Sequence, residues 1–394
     1  MSTTPNGVHA LVRRSHEERV LRVLRQHGAQ SRNEIAARVG LSRTTVSEIT
    51  GDLLGRGVIR VVDTDAVARV GSGRPAERLA LDPASGQYMG VDFGHRRVNV
   101  LVADAAHDII ASGTSRYEES AQWPERLDAG LALIERLSTD TGVHYGALQA
   151  IGVGVPGWGD RSRADGVAEV FAERFHAAVI VDNNVRFAGL AEALHAQSDS
   201  VRDLIYLRLS DGVGGGLVVG GQLARGSKGY AGELGHVTAV PGGDQCRCGK
   251  RGCVETVASV PAILGRCRRL GVPMDSLDEL KAAVDIAHPV VDEVLREAGT
   301  AVGRMLGTAA MTLNPSEIVL GGDIVEIAPA LIRQVRSTVT YELSWLTDAA
   351  PVIRPALLSD ESGALGAIAA LFHESPLLAG YEANVTTDGG RQWP

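Results

Sequence analysis

The chain has 394 residues, 44% hydrophobic and 22% charged, enough for two or more domains and too apolar for a disordered polymer. No apolar run approaches the ~18 residues needed to span a bilayer, and the polar start MSTTPNGVHA lacks a signal-peptide core. These features exclude a membrane-spanning or exported protein from the expectation and point to the cytoplasm. The net charge of −8 hides an asymmetry: residues 1–81 hold 13 Arg and no Lys against 8 acidic side chains, a net of +5, leaving −13 for the rest. A basic head on an acidic body fits one nucleic-acid-binding module joined to a different domain.

In chain order, residues 16–27 place Val20, Leu21, Val23 and Leu24 on one helical stripe. Ser31 and Glu34 form a capping-box pattern that opens a helix over 31–39, ended by Gly40. Ser42 caps a third helix, about 42–55, stopped by Gly55 and Gly57. Helix, short helix, Gly-containing turn and helix is the order of a helix-turn-helix, although small three-helix domains also mediate protein contacts. The strand-like VIRVVD and ERLALDP flank GSGRP as a wing would. Residues 1–82 therefore read as a winged helix-turn-helix DNA-binding domain and 83–394 as an effector domain, with a loop-like tail from about 375 to 394. Ser42, Arg43, Thr44, Thr45 and Ser47 suit entry into a major groove. Arg43 is the candidate for a base contact, and the hydroxyls can serve bases or phosphates. Arg69 and Arg74, in the narrow segment ARVGSGRP, suit the tight minor groove of A·T-rich DNA. Both can equally be solvated loop residues.

Beyond Tyr88 the pattern changes. MGVDFG, VNVLVAD and IIASGT read as successive strands, and a similar unit, LIYLRLSDGVGGGLVVGGQLARGS, begins near 204. The echo suggests two related lobes, each with a Gly-rich turn able to face a phosphate. Helices are expected at about 125–139, 184–196, 257–270 and 290–313.

His236, Cys246, Cys248 and Cys253 form H-x9-C-x-C-x4-C. Three thiolates and an imidazole match a closed tetrahedral site for structural zinc, with no open position for catalysis. Clustered thiols in a reducing compartment favour metal over disulfide. Cys267, on an expected helix, reads as a core residue.

The segment AGELGHVTAVPGGDQCRCGKRGCVETVAS resembles the signature of the ROK family (repressors, open reading frames and kinases). VDFG at 91–94, GVGVPG at 152–157, VDNNV at 181–185, GVGGG at 212–216 and NPSEIVLGG at 314–322 follow the family pattern in order. Together with the head, the resemblance covers residues 15–372. It implies an α/β protein: a winged helix-turn-helix plus a two-lobed, actin-like ATPase (sugar-kinase-like) domain with a zinc loop, assembled as a homodimer or homotetramer. Carried onto matching positions, the family's sugar contacts become Asn183, Asn184, Glu233, His236 and Glu255. The two Glu can alternatively orient a zinc ligand.

The resemblance also implies that kinase chemistry is lost. The family base, an Asp, is replaced by Asn184, which cannot accept a proton from a sugar hydroxyl, and a nearby family Asn is replaced by Arg186. The first phosphate turn, D-x-G-G-T in kinases, reads Asp92-Phe93-Gly94-His95-Arg96; the second, G-T-G-x-G, reads Ser210-Asp211-Gly212-Val213-Gly214. The expectation is a non-enzyme: a repressor of a palindromic, A·T-rich operator, controlled by a sugar or sugar phosphate. The alternatives are a bifunctional ROK sugar kinase that uses ATP and also binds DNA, and a DNA binder with a vestigial cleft.

Overall fold

The computed structural model describes residues 16, 17, 19–21, 23, 24, 27–55, 57–64, 77–82, 86–105, 108–141, 148–157, 161–195, 203–345, 350–358 and 361–374. Among them, no helix is long and apolar enough to cross a membrane.

In the head, the described residues between 16 and 24 are helical and bury Val20, Leu21, Val23 and Leu24. Helix α1 (Arg32–Val39) carries the expected capping box between Ser31 and Glu34 and ends on Gly40 at φ 66°, a left-handed conformation that glycine adopts without a Cβ clash. Helix α2 (Arg43–Gly55) starts where Ser42 Oγ accepts from the Thr45 amide at 3.1 Å. Strands β1 (Gln30–Ser31) and β2 (Ile59–Thr64) each pair antiparallel with β3 (Glu77–Leu81). Ile35, Val46, Ile49, Leu53 and Leu79 close the core beneath this sheet. Arg32 links the layers, donating to Thr50 Oγ1 at 3.0 Å and to Glu77 at 2.8 Å. The wing arginines Arg69 and Arg74 and the tail from 375 lie outside the described residues.

The first lobe is a five-stranded sheet of β4 (Gln87–Phe93), β5 (Arg97–Asp104), β6 (Ile109–Arg116), β7 (Leu148–Val155) and β8 (Ala178–Asn183), in the order β6-β5-β4-β7-β8. Helices α3 (Trp123–Thr141) and α4 (Arg161–Phe175) cover one face, with Leu133, Ile134 and Phe171 packed on Val91, Val100 and Val153. Helix α5 (Asn184–His195) leaves the end of β8.

The second lobe repeats the plan. Strands β9 (Leu204–Leu209), β10 (Val213–Val219), β11 (Gln222–Leu223), β12 (Glu317–Gly321) and β13 (Val352–Pro355) lie in the order β11-β10-β9-β12-β13. In both sheets the first three strands are antiparallel and the last two parallel to the first, so the internal echo is a structural duplication. The second core gathers α6 (Glu255–Ala258), α7 (Val260–Arg269), α8 (Leu277–Asp285), α9 (Pro289–Leu313), α10 (Asp323–Ile327) and α11 (Pro329–Glu342). The expected helix 257–270 is two helices, because Ser259 turns extended and caps α7.

The last element, α12 (Ser362–Glu374), returns to the first lobe and packs with α5 on the free face of its sheet. Backbones meet closely there. A Cβ on Gly90 would lie 2.1 Å from Ala364 O, and one on Gly366 would lie 1.7 Å from Phe187 O. Helix α5 touches both sheets, with Ala188 beside Tyr206 and Val319 of the second lobe and Phe187 beside Ala367 of α12.

Gly366→Ala is expected to destabilise the protein by about 1–3 kcal/mol through overpacking. Gly166→Ala, on α4 with no atom within 4 Å of the new methyl, should be neutral or stabilising. Chemical denaturation followed by circular dichroism checks both, and equal midpoints for the two variants would contradict the close α5–α12 approach.

Candidate functional site

A cleft of about 1010 Å³ opens between the lobes, lined by Asp92, His95, Asn183, Asn184, Glu233 and His236 among others. Asn183 and Asn184 sit at the β8–α5 junction, where the chain turns from strand to helix. Asn183 Oδ1 accepts from the Val185 amide at 2.8 Å and so caps the helix. Asn184 Nδ2 donates to Phe93 O at 3.1 Å, tying the helix start to the end of β4. Glu233 and His236 enter from the second lobe, on the short helical turn Leu234–His236 and its preceding residue.

Glu255 sits behind this surface. Its carboxylate is gripped by Arg247 through Nε and Nη2, both at 2.9 Å, and accepts from the Val213 amide at 3.1 Å. Four of the five expected sugar contacts thus line one cleft; Glu255 instead braces the second Gly-rich turn, against Gly212.

The ligand atoms of His236, Cys246, Cys248 and Cys253 all lie within 4.8 Å of one another. His236 Nδ1 is 3.5 Å from Cys246 Sγ, and the Cys248 and Cys253 sulfurs are 3.6 Å apart. A tetrahedral ion bonded at ~2.0–2.3 Å separates its donors by roughly 3.5–3.8 Å, so the group can hold one. Gly252 at φ 72° lets the loop fold back on itself; a Cβ there would lie 1.6 Å from Val240 O. Burial pushes the Cys253 thiol up to about 12, whereas a backbone hydrogen bond at Lys250 lowers Cys248. Three thiolates at such separations repel one another, and a bound cation would offset that charge. With Nδ1 turned to the sulfurs, the opposite edge of the His236 ring is left for the cleft. Cys267 is buried in the second core, away from this group.

Charged side chains of both turns face the cleft. Burial pushes the His95 imidazole below its usual range, against the attraction of Asp211 across the cleft. Arg96 is held charged by Glu119, at 2.6 Å, with Asp211 and Asp323 adding to its field. Ser210 Oγ donates to Asp323.

A buried ionic chain was not legible in the sequence. Arg186 and Asp182, each 1% exposed, pair at 3.2 Å; Arg186 Nη2 reaches Glu233 at 3.1 Å, and Arg225 Nε reaches Asp182 at 2.5 Å. The i,i+4 spacing of Asp182 and Arg186 is no helical signal, because Asp182 lies in β8 and only Arg186 in α5. Arg225 offers none either.

On the head, Ser42, Arg43, Thr44 and Ser47 are exposed and Thr45 is half-buried. Ser42 and Thr45 hydrogen-bond each other at 2.8 Å, so part of their capacity is used in capping.

Residues 88–375 match the ROK family, and residues 13–60 match a winged helix-turn-helix DNA-binding family. The chain belongs to the ROK family. The N-acetylglucosamine repressor of Escherichia coli O157:H7 is 29% identical over 386 residues, covering 91% of this chain and 92% of that protein. A crystal structure of a ROK family transcriptional regulator, a homologue of the E. coli MLC protein, aligns with TM-score 0.75 at 21% identity over 92% of this chain and 97% of that one. The ROK hexokinase of Thermus thermophilus aligns with TM-score 0.64 at 28% identity, covering 98% of the hexokinase but 72% of this chain. The ROK fold here therefore carries an added winged helix-turn-helix.

Titrating metal-stripped protein with Co²⁺ should give one equivalent of a tetrahedral thiolate spectrum. Cys253→Ala should lose the tight site; an octahedral spectrum, or unchanged binding in that variant, would exclude this ligand set.

Proposed function

We propose that this chain is a DNA-binding transcriptional repressor whose operator affinity is set by a sugar or sugar phosphate in the interlobe cleft. The observation that carries the reading is the winged head joined to a cleft whose proton-accepting position holds an amide, Asn184. Asn184 and Asn183 offer donors and acceptors to vicinal hydroxyls, and Glu233 and His236 complete the set from the opposite lobe. Glu255 then acts one layer out, through Arg247 and the Gly212 turn. The metal is structural zinc at His236, Cys246, Cys248 and Cys253, which would fix the imidazole against both ion and sugar. Zinc in a closed four-ligand site supplies rigidity, not catalysis.

In the DNA complex, Arg43 with Ser42, Thr44, Thr45 and Ser47 enters the major groove, and Arg69 and Arg74 of the wing reach the minor groove. Two heads of a homodimer or homotetramer read half-sites about one turn (~34 Å) apart on a palindromic, A·T-rich operator. The sugar favours the lobe arrangement that disrupts this spacing, weakening operator binding by about 1–3 kcal/mol, roughly 5–150-fold. The reading assigns residues 1–82 to DNA, 83–394 to the effector, and the protein to the cytoplasm as a non-enzyme.

Two measurements test it. Operator duplexes are selected from a random library with the zinc-loaded protein. Anisotropy titrations are then repeated with N-acetylglucosamine, glucose, xylose and their phosphates. One sugar should release the DNA, Asn184→Ala should abolish that response, and Arg43→Ala should cost operator affinity about 1–3 kcal/mol. Sugar-dependent ATP consumption that vanishes in Asp92→Asn would instead establish the bifunctional kinase, and no response to any sugar would leave a vestigial cleft.

A further inference from the structure

The ionic chain Arg225–Asp182–Arg186–Glu233 runs from the first lobe to the second. Asp182 is the penultimate residue of β8 in the first lobe, Arg186 lies on the first turn of α5, and Arg225 and Glu233 belong to the second lobe. The two second-lobe residues bound one loop, 225–233, whose neck is closed by Ala231 N donating to Arg225 O at 3.1 Å. That loop grips the β8–α5 junction with two prongs of opposite charge: Arg225 on Asp182 at 2.5 Å and Glu233 on Arg186 at 3.1 Å.

The environment makes the grip a switch in character. Asp182 and Arg186 are each 1% exposed, whereas Glu233 and Arg225 are about one-third exposed at 34% and 32%. Partial separation of such pairs leaves charge uncompensated in a low-dielectric interior, so they favour discrete made and broken states over gradual stretching. Buried ion pairs also contribute little net stability relative to apolar packing, and registry or switching is their best-attested use. Glu233 is the one member that also lines the cleft. A hydroxyl donating to its carboxylate shares the charge that holds Arg186.

We propose that loop 225–233 couples effector occupancy to lobe spacing, with Arg186 and Arg225 as positioning residues that translate a hydrogen bond at Glu233 into movement of α5 against the second lobe. The inference rests on the proposed sugar site. Helix α5 is packed on both sheets, so a shift of its first turn is carried to both lobes.

The test uses full-length, zinc-loaded Arg225→Gln, with Arg186→Gln as the second variant, against the selected operator. Anisotropy reads operator affinity, and thermal shift reads binding of N-acetylglucosamine, glucose, xylose and their 6- or 5-phosphates. The expected result is that the sugar active on the wild type still raises the melting temperature of Arg225→Gln but changes operator affinity by less than about twofold, against roughly 5–150-fold for the wild type. Reciprocally, operator DNA should no longer alter the sugar affinity of the variant. A wild-type response retained by either folded variant overturns the coupling role while leaving the sensor reading intact. A wild type indifferent to every sugar overturns the sensor reading, and the coupling role falls with it.

Discussion

The structure depends on the burial of α5 between two sheets. Asn184 and residues 186–193 are buried, although the segment begins with amides and an arginine. Such a helix lies between two lobes only if its side chains are small where the layers meet and its charges are paired. Ala188, Gly189, Ala191 and Ala193 meet the first condition; a Cβ on Gly189 would lie 3.0 Å from Tyr206. Arg186 with Asp182 and Glu233, and Glu192 with Arg354 and the amides of Leu357 and Leu358, meet the second. The cleft then opens at the start of α5, where Asn183 and Asn184 already stand.

The opposite wall joins the His–Cys loop to the second core, in which Leu234 and Val254 are buried. Cys246 and Cys253 are buried while Cys248 is exposed, and backbone hydrogen bonds from Cys246 N to Lys250 O and from Gly252 N to Asp244 O, each at 2.8 Å, fold the loop around them. His236 belongs both to that group and to the cleft lining, which joins loop order to site geometry in one residue. Arg247, from the same loop, fixes Glu255 against Gly212 and the second turn. Between the two turns that would share an anionic nucleotide in a kinase, Arg96 instead lies in the field of Asp211 and Asp323, while burial disfavours the charged form of His95. That arrangement agrees with the proposed exchange of catalysis for ligand-controlled lobe spacing.

Much of the chain was legible because its signals are local. The Ser31–Glu34 capping box, the Gly40 stop and the Ser42 cap act over three or four residues, and the structure reproduces each; both wing strands form, but only Glu77–Leu81 alternates, since Val58 and Ile59 are both buried and Val61 and Val62 both exposed. The duplicated strand units were visible for the same reason. Helix α4 escaped notice because its apolar face is weakly defined, and α12 because SGALGAIAALFHE is apolar all round and lacks an amphipathic period. Helix 257–270 was read as continuous because a helix-compatible pattern ran across the Ser259 cap.

By itself, then, the sequence determined the capped helices of the head, the doubled sheet plan, the four members of the His–Cys group and the family that sets the fold. These rest on short spacings and on side-chain chemistry that no distant contact can change. Only the tertiary structure decided that α12 returns to the first lobe, that Glu255 is held behind the cleft by Arg247, and that Arg225 and Glu233 close on Asp182 and Arg186. The two ion pairs span 43 positions, Asp182 to Arg225, and 47, Arg186 to Glu233, and a long-range ion pair leaves no periodicity for a local pattern to show.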